Sequence, residues 1–207
     1  MKDKMKIAVI ASGRGSNFMA LVKACRKDGF PAGIALLITD NPDAGALESA
    51  RKNGIESFVV DCGPGRGSMS AESSSEMRRL CVERGVELVC LAGFMRIVRG
   101  DLLDAYGGRM LNIHPALLPS FKGLHGQKQA LDYGVRYSGC TVHFVDPGVD
   151  TGPIIIQKVV PVMQDDTEES LSERILVEEH KAYPEAVRLY AGGKLKIEGR
   201  RVLISYE

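Results

Sequence analysis

The first sixty residues constrain the fold most. Residues 6–11 form a short apolar, β-branched run that reads as a strand. Ser12-Gly-Arg-Gly-Ser-Asn17 follows, and then residues 18–27 place Phe18, Leu21, Val22 and Cys25 at helical spacing. The alternation continues with a strand at 33–39, a helix at 43–53 closed by Gly54 and a third strand at 58–60. Strands alternating with helices predict a parallel sheet with right-handed crossovers. The Gly-rich turn between the first strand and helix admits two readings. Its glycines serve a tight turn, or they open an anion site where helix amides and the helix dipole meet a phosphate. Ser16 and Asn17 are good N-cap types that can also reach a phosphate oxygen. A dinucleotide fingerprint needs a third Gly where Phe18 stands, and a Walker loop needs a Gly-Lys-Ser/Thr that is absent. Asp40, after the second strand, is all that remains of a dinucleotide case.

The rest of the chain extends the pattern. Residues 62–75 are Gly- and Ser-rich and read as a surface loop running into a helix that ends near Arg84, with Gly85 just beyond. A buried strand at 86–91 runs into Ala92-Gly-Phe-Met-Arg-Ile-Val98, where Phe94, Met95 and Ile97 either pack as core or hold a flat heterocycle. A short helix at 101–106, a strand at 109–114 and a helix at 126–133 come next. Residues 139–146 alternate, with Thr141, His143 and Val145 on one face. A strand at 154–162 and a long amphipathic helix from about 168 to 190 follow, and two short runs within 194–206 predict a hairpin at the sheet edge. No internal repeat or linker divides the chain, so one domain spanning 1–207 is expected, Rossmann-like α/β, with a mostly parallel central sheet flanked by helices and antiparallel C-terminal strands.

Composition narrows the function. The 207 residues are 44% hydrophobic and 26% charged, as in ordinary water-soluble domains. The net charge of +1 argues against a large nucleic-acid footprint. No apolar run approaches the roughly 20 residues of a membrane span. The apolar stretch after the basic N-terminus is too short for a secretory signal, which predicts a cytoplasmic protein. The five cysteines form no C-x-x-C pair, so neither a disulfide framework nor a zinc site is expected, and Cys90 and Cys140 read as small core residues.

The chemistry concentrates in Asn112-Ile-His-Pro-Ala-Leu-Leu-Pro119. Period two puts Asn112 and His114 on one face of a strand, and Pro115 ends the ladder there. The pair either satisfies backbone groups in the turn or is presented to a ligand at the sheet edge. Downstream, Asp146-Pro-Gly-Val-Asp150 is a loop with two carboxylates.

Taken in order, Ser12–Asn17, Ala92–Arg96, Asn112–Pro119, Gly123-Leu-His125, Val149–Pro153 and Glu179-His-x-x-Tyr-Pro184 make the chain resemble the glycinamide ribonucleotide formyltransferases over nearly its whole length. The resemblance implies direct attack of the glycinamide amine on the formyl carbon of 10-formyltetrahydrofolate, in purine synthesis, through a tetrahedral oxyanion and without a metal. It implies His114 as general acid, Asn112 as oxyanion donor and Asp150 raising the pKa of His114. Gly15, Ser16 and Asn17 would bind the ribonucleotide phosphate, and Glu179 its ribose or amine end. Met95, Arg96, Ile97 and Val98 would line the folate pocket, joined by Asn112, with Asp146, Pro147, Gly148, Val149 and Asp150 closing it. Residues 1–100 would be the phosphate-binding half and 101–207 the catalytic and folate-binding half.

Relatives carry an Arg after the third strand to meet the folate tail. Here the stretch reads Ser68-Met-Ser-Ala-Glu-Ser-Ser-Ser75, which leaves Arg66 or Arg78 as the substitute. His125, His143 and His180 are taken as structural. Small-molecule substrates, a monomer or weak homodimer, and no nucleic-acid or membrane partner are expected. The same motif also occurs in methionyl-tRNA formyltransferases, which add a C-terminal domain for which 207 residues leave no room, and in formyltetrahydrofolate deformylases, which usually carry an N-terminal regulatory domain. Hydrolysis of formyl-folate is the leading alternative, and a nonenzymatic nucleotide-binding module the third.

Overall fold

The computed structural model describes residues 4–63 and 67–205. Its elements run β1 (Met5–Ile10), α1 (Ser16–Cys25), β2 (Ala32–Thr39), α2 (Gly45–Lys52), β3 (Glu56–Val59), α3 (Ala71–Glu83), β4 (Leu88–Leu91), α4 (Asp101–Ala105), β5 (Met110–His114), α5 (Gly126–Tyr133), β6 (Tyr137–Phe144), β7 (Ile154–Pro161), α6 (Glu168–Ala191), β8 (Leu195–Glu198) and β9 (Arg201–Ile204). The strand order is β3-β2-β1-β4-β5-β6-β7, with β8 and β9 in a sheet of their own. This is the α/β class that the alternating pattern predicts. By its contacts the chain divides into two compact units, residues 1–111 and 112–207, with the boundary inside β5.

In the first unit, β1 pairs in parallel with β2 and with β4, and β2 with β3. A parallel strand covered on both faces must be apolar throughout, and Ile7, Ala8, Val9 and Ile10 are all fully buried. Helix α1 buries the predicted Phe18, Leu21, Val22 and Cys25. It begins at Ser16, two residues earlier than the periodicity predicts. Gly15 takes the N-cap position at φ +79°, and no side chain caps the helix, so Ser16 and Asn17 lie inside the first turn. Only glycine suits this position, because a Cβ would fall 2.8 Å from Ala46 Cβ. Helix α3 also begins early. Ser70 Oγ accepts the Ser73 amide, so residues 71–75, expected as loop, form its first turn.

In the second unit, β6 and β7 pair antiparallel. Strand β6 starts at Tyr137 because Ser138 is buried and pairs with Val160. Helix α5 has the predicted bounds and ends at Gly134 in the left-handed conformation. A reciprocal cap between Thr167 and Ser170 opens α6, which buries Leu171, Ile175, Glu179, Ala182 and Tyr183. The C-terminal hairpin forms as predicted, but as a separate two-stranded sheet rather than at the edge of the main one. Among the described residues all five cysteines are buried and none forms a disulfide. Burial pushes the Cys140 thiol up to about 12, which suits a core residue and not a nucleophile.

Candidate active site

Period two on β5 delivers Asn112 and His114 to the end of the strand, and Pro115 stops the ladder there. Both meet Asp150, which sits in the loop after β6 with φ at +49°. Left-handed backbone is costly for a residue with a Cβ, and it is held here by bonds to the Asp150 side chain. The Gly123 amide donates to Oδ2 at 2.8 Å, and Asn112 Nδ2 donates to Oδ1 at 3.3 Å. His114 Nδ1 lies 3.3 Å from Oδ2.

His114 is 4% exposed. Its Nε2 is 2.7 Å from the Phe121 carbonyl oxygen. An acceptor therefore faces each ring nitrogen, and a doubly protonated ring satisfies both. Burial works against that state and lowers the His114 pKa; the Asp150 charge and the Phe121 carbonyl push it back up. The expected upward effect of Asp150 is present, but the net displacement is downward, because desolvation outweighs one carboxylate. For Asp150, burial raises the carboxyl pKa, yet the His143 hydrogen bond, the His114 charge and the Gly123 amide together hold it below its ordinary value.

His143 is the residue that sequence reasoning set aside. It lies on β6, beside β5 in the sheet, and is 2% exposed. Its Nε2 is 3.3 Å from Asn112 Nδ2 and 3.5 Å from Asp150 Oδ1, and its Nδ1 is 2.7 Å from the Phe144 carbonyl. A neutral ring with its proton on Nδ1 donates to Phe144 and accepts from Asn112, which fixes the Asn112 amide nitrogen toward Asp150. When charged, the ring also donates from Nε2 to Asp150. The alternation of Thr141, His143 and Val145 was the available signal.

The other predicted residues fall as follows. Glu179 is buried on α6, and His180 follows it on the same helix. His125 precedes α5 at φ +59° with Nδ1 3.5 Å from Glu168. Asp146 Oδ1 accepts from Thr151 Oγ1 at 2.6 Å and from the Gly148 amide at 3.1 Å, so it organises the loop carrying Pro147, Gly148 and Val149, which are exposed. In the first unit, Met95 is exposed and Val98 buried. The Met95 amide donates to Ser12 Oγ, and the Ile97 amide and carbonyl bond to Gly67 and Met69. The Ile97 backbone is thus engaged with the 67–69 segment. The Arg96 guanidinium is committed as well, with Nε 2.8 Å from Asp40 Oδ2 and Nη2 2.9 Å from the Gly63 carbonyl. Asp40, the remnant of a dinucleotide signal, is therefore the ion-pair partner of Arg96. Arg78 is exposed on α3; Arg66 lies outside the described residues.

A family model described as "Formyl transferase" matches residues 5–187. The chain belongs to the formyl transferase family. The resemblance carried by its motifs is borne out by relatives within that family. It is 42% identical to the phosphoribosylglycinamide formyltransferase of Bacillus subtilis, over 90% of this chain and 95% of that protein. It is 45% identical to the trifunctional purine biosynthetic protein adenosine-3 of Gallus gallus over 94% of this chain, and spans only 19% of that protein's length. Among solved structures, glycinamide ribonucleotide transformylase 1 from Symbiobacterium toebii has a TM-score of 0.92 at 48% identity, covering 99% of this chain and 95% of that one. A formyltetrahydrofolate deformylase from Pseudomonas syringae has a TM-score of 0.90 at 25% identity, covering 98% of this chain and 66% of that one.

Proposed function

We propose that the chain transfers the formyl group of 10-formyltetrahydrofolate to the amine of N1-(5-phosphoribosyl)glycinamide, a step of purine synthesis. The observation that carries this reading is the cluster at the end of β5, where the Asn112 amide nitrogen and the His114 ring both lie 3.3 Å from the Asp150 carboxylate. Acyl transfer to an amine needs a donor for the developing oxyanion and a proton for the departing nitrogen. Asn112 supplies the first when one of its two amide N–H bonds, engaged by Asp150 and His143 in this structure, turns to the oxyanion. His114 supplies the second, from Nε2, the nitrogen turned away from Asp150, once the Phe121 carbonyl gives way to the substrate. Asp150 favours the charged ring against the cost of burial. No thiol or hydroxyl nucleophile is needed.

In the same reading, the uncapped start of α1 at Gly15, Ser16 and Asn17 takes the ribonucleotide phosphate, and Glu179 its ribose or amine end. Met95–Val98 and the 146–150 loop bound the folate. The phosphate-binding half (1–100) and the catalytic, folate-binding half (101–207) form one domain. Cytoplasmic residence, small-molecule substrates only, and a monomer or weak homodimer complete the proposal.

Hydrolysis is the second reading, favoured by the likeness to a deformylase. Water would replace the amine and the same three residues would act. An absorbance assay with 10-formyl-dideazafolate, with and without the ribonucleotide, separates the two. Release of deformylated folate only with the ribonucleotide is expected; release without it would establish the hydrolase.

A further inference from the structure

His114 is followed by a proline, so the next residue can donate no amide bond to hold it. In residues 116–118, just after the ring, two side chains of the β6–β7 ladder take the Ala116 carbonyl, the Leu118 amide and the Leu118 carbonyl. Thr141, fully buried on β6, donates its hydroxyl to the Ala116 carbonyl at 2.7 Å and accepts the Leu118 amide at 3.0 Å. Gln157, its directly paired partner on β7, donates to the Leu118 carbonyl at 2.9 Å and to Thr141 Oγ1 at 3.1 Å. The Thr141 hydroxyl has one proton and two lone pairs, and all three are used. The ladder is also shaped for the loop. A Cβ on Gly139 would fall 2.9 Å from Leu117 Cδ2 and clash with the Lys158 carbonyl, so Leu117 seats over a position that only glycine leaves open.

We infer that Thr141 and Gln157 are positioning residues that clamp the 116–118 segment and so set the place and hydration of the His114 ring. The inference rests on His114 as proton donor in the proposed transfer. A loosened loop admits water to the ring. Because burial is what holds the His114 pKa down, hydration moves it up toward its ordinary value. A displaced ring also costs rate, of the order of 10²-fold for a misplacement near 1 Å.

The test uses the full chain as Thr141→Val, Thr141→Ser and Gln157→Leu. Thr141→Val keeps the shape and removes the hydroxyl. It is expected to lower kcat by about 10²-fold with little change in either KM. The fall of kcat with rising pH should move to higher pH, and so should the His114 titration followed by NMR. Thr141→Ser restores the hydroxyl and should restore kcat and both titrations. Gln157 is exposed, so Gln157→Leu carries little folding burden and should shift the same quantities by a smaller amount. Unchanged kcat and His114 titration in folded Thr141→Val, or an equal loss in Thr141→Ser, would overturn the clamp. If Thr141→Val does not fold, unchanged values in Gln157→Leu overturn it instead. Lack of transfer activity in the unsubstituted chain would instead refute the proposed function, and the NMR titration would still decide the clamp.

Discussion

A carboxylate 3.3 Å from an imidazole nitrogen ordinarily raises the pKa of the ring, and here burial reverses the outcome. The sign has consequences for both rate and stability. If charged His114 is the proton donor, kcat falls as pH rises through its folded pKa. Asp150→Asn removes the negative charge that raises the His114 pKa, so that fall should move to lower pH and kcat should drop; a kcat–pH profile identical to the parent's would remove Asp150 from the mechanism. For stability, a histidine whose folded pKa lies below 6.5 binds fewer protons folded than unfolded, so its contribution declines as pH drops from 6.5 toward the folded value. Asp150, depressed below 3.8, contributes above that value and loses it as pH falls through its folded pKa. His114→Ala should lower kcat about 10²–10⁴-fold with the fold intact, measured by steady-state kinetics beside circular dichroism. A binding module with no chemistry would show no such loss.

Elements carry the geometry that these residues need. Strand β6 holds both His143, against Asn112, and Thr141, against the loop after His114. The Gly139 position lets β7 and Leu117 approach β6, and Gly139→Ala should destabilise by about 1–3 kcal/mol through overpacking, read from urea unfolding. Helix α6 depends on its start. Thr167→Ala removes the acceptor for the Ser170 amide and should cost about 1 kcal/mol in the same measurement. Just before it, Asp166 accepts from Arg174 at 2.7 and 2.8 Å, from the Met163 amide and from Ser170 Oγ. Arg174 holds its carboxyl far below the usual carboxylate range. That contribution is present above 3.8 and fades as pH falls through the folded pKa, so Asp166→Asn should lower Tm at neutral pH and flatten the decline of Tm in acid.

At the scale of the whole chain, the fold was legible where local pattern decides structure. Period two placed Asn112 and His114 at a strand end, apolar spacing placed α1, and Gly54 closed its helix. Starts were less legible where capping overrode composition, as at Ser70 and Gly15. What escaped was non-local. Nothing near His143 in the sequence announces Asn112, which lies 31 residues away. Likewise Arg96 and Asp40 are 56 residues apart, and nothing local in the sequence announces their ion pair. The central claim concerns the reaction, and one measurement meets it directly: deformylation of 10-formyl-dideazafolate by the full chain, with and without N1-(5-phosphoribosyl)glycinamide. The account predicts product only when the ribonucleotide is present, one formylated ribonucleotide for each folate released. Equal release in its absence would contradict formyl transfer, and no release from folded protein would return Asn112 and His114 to a structural role.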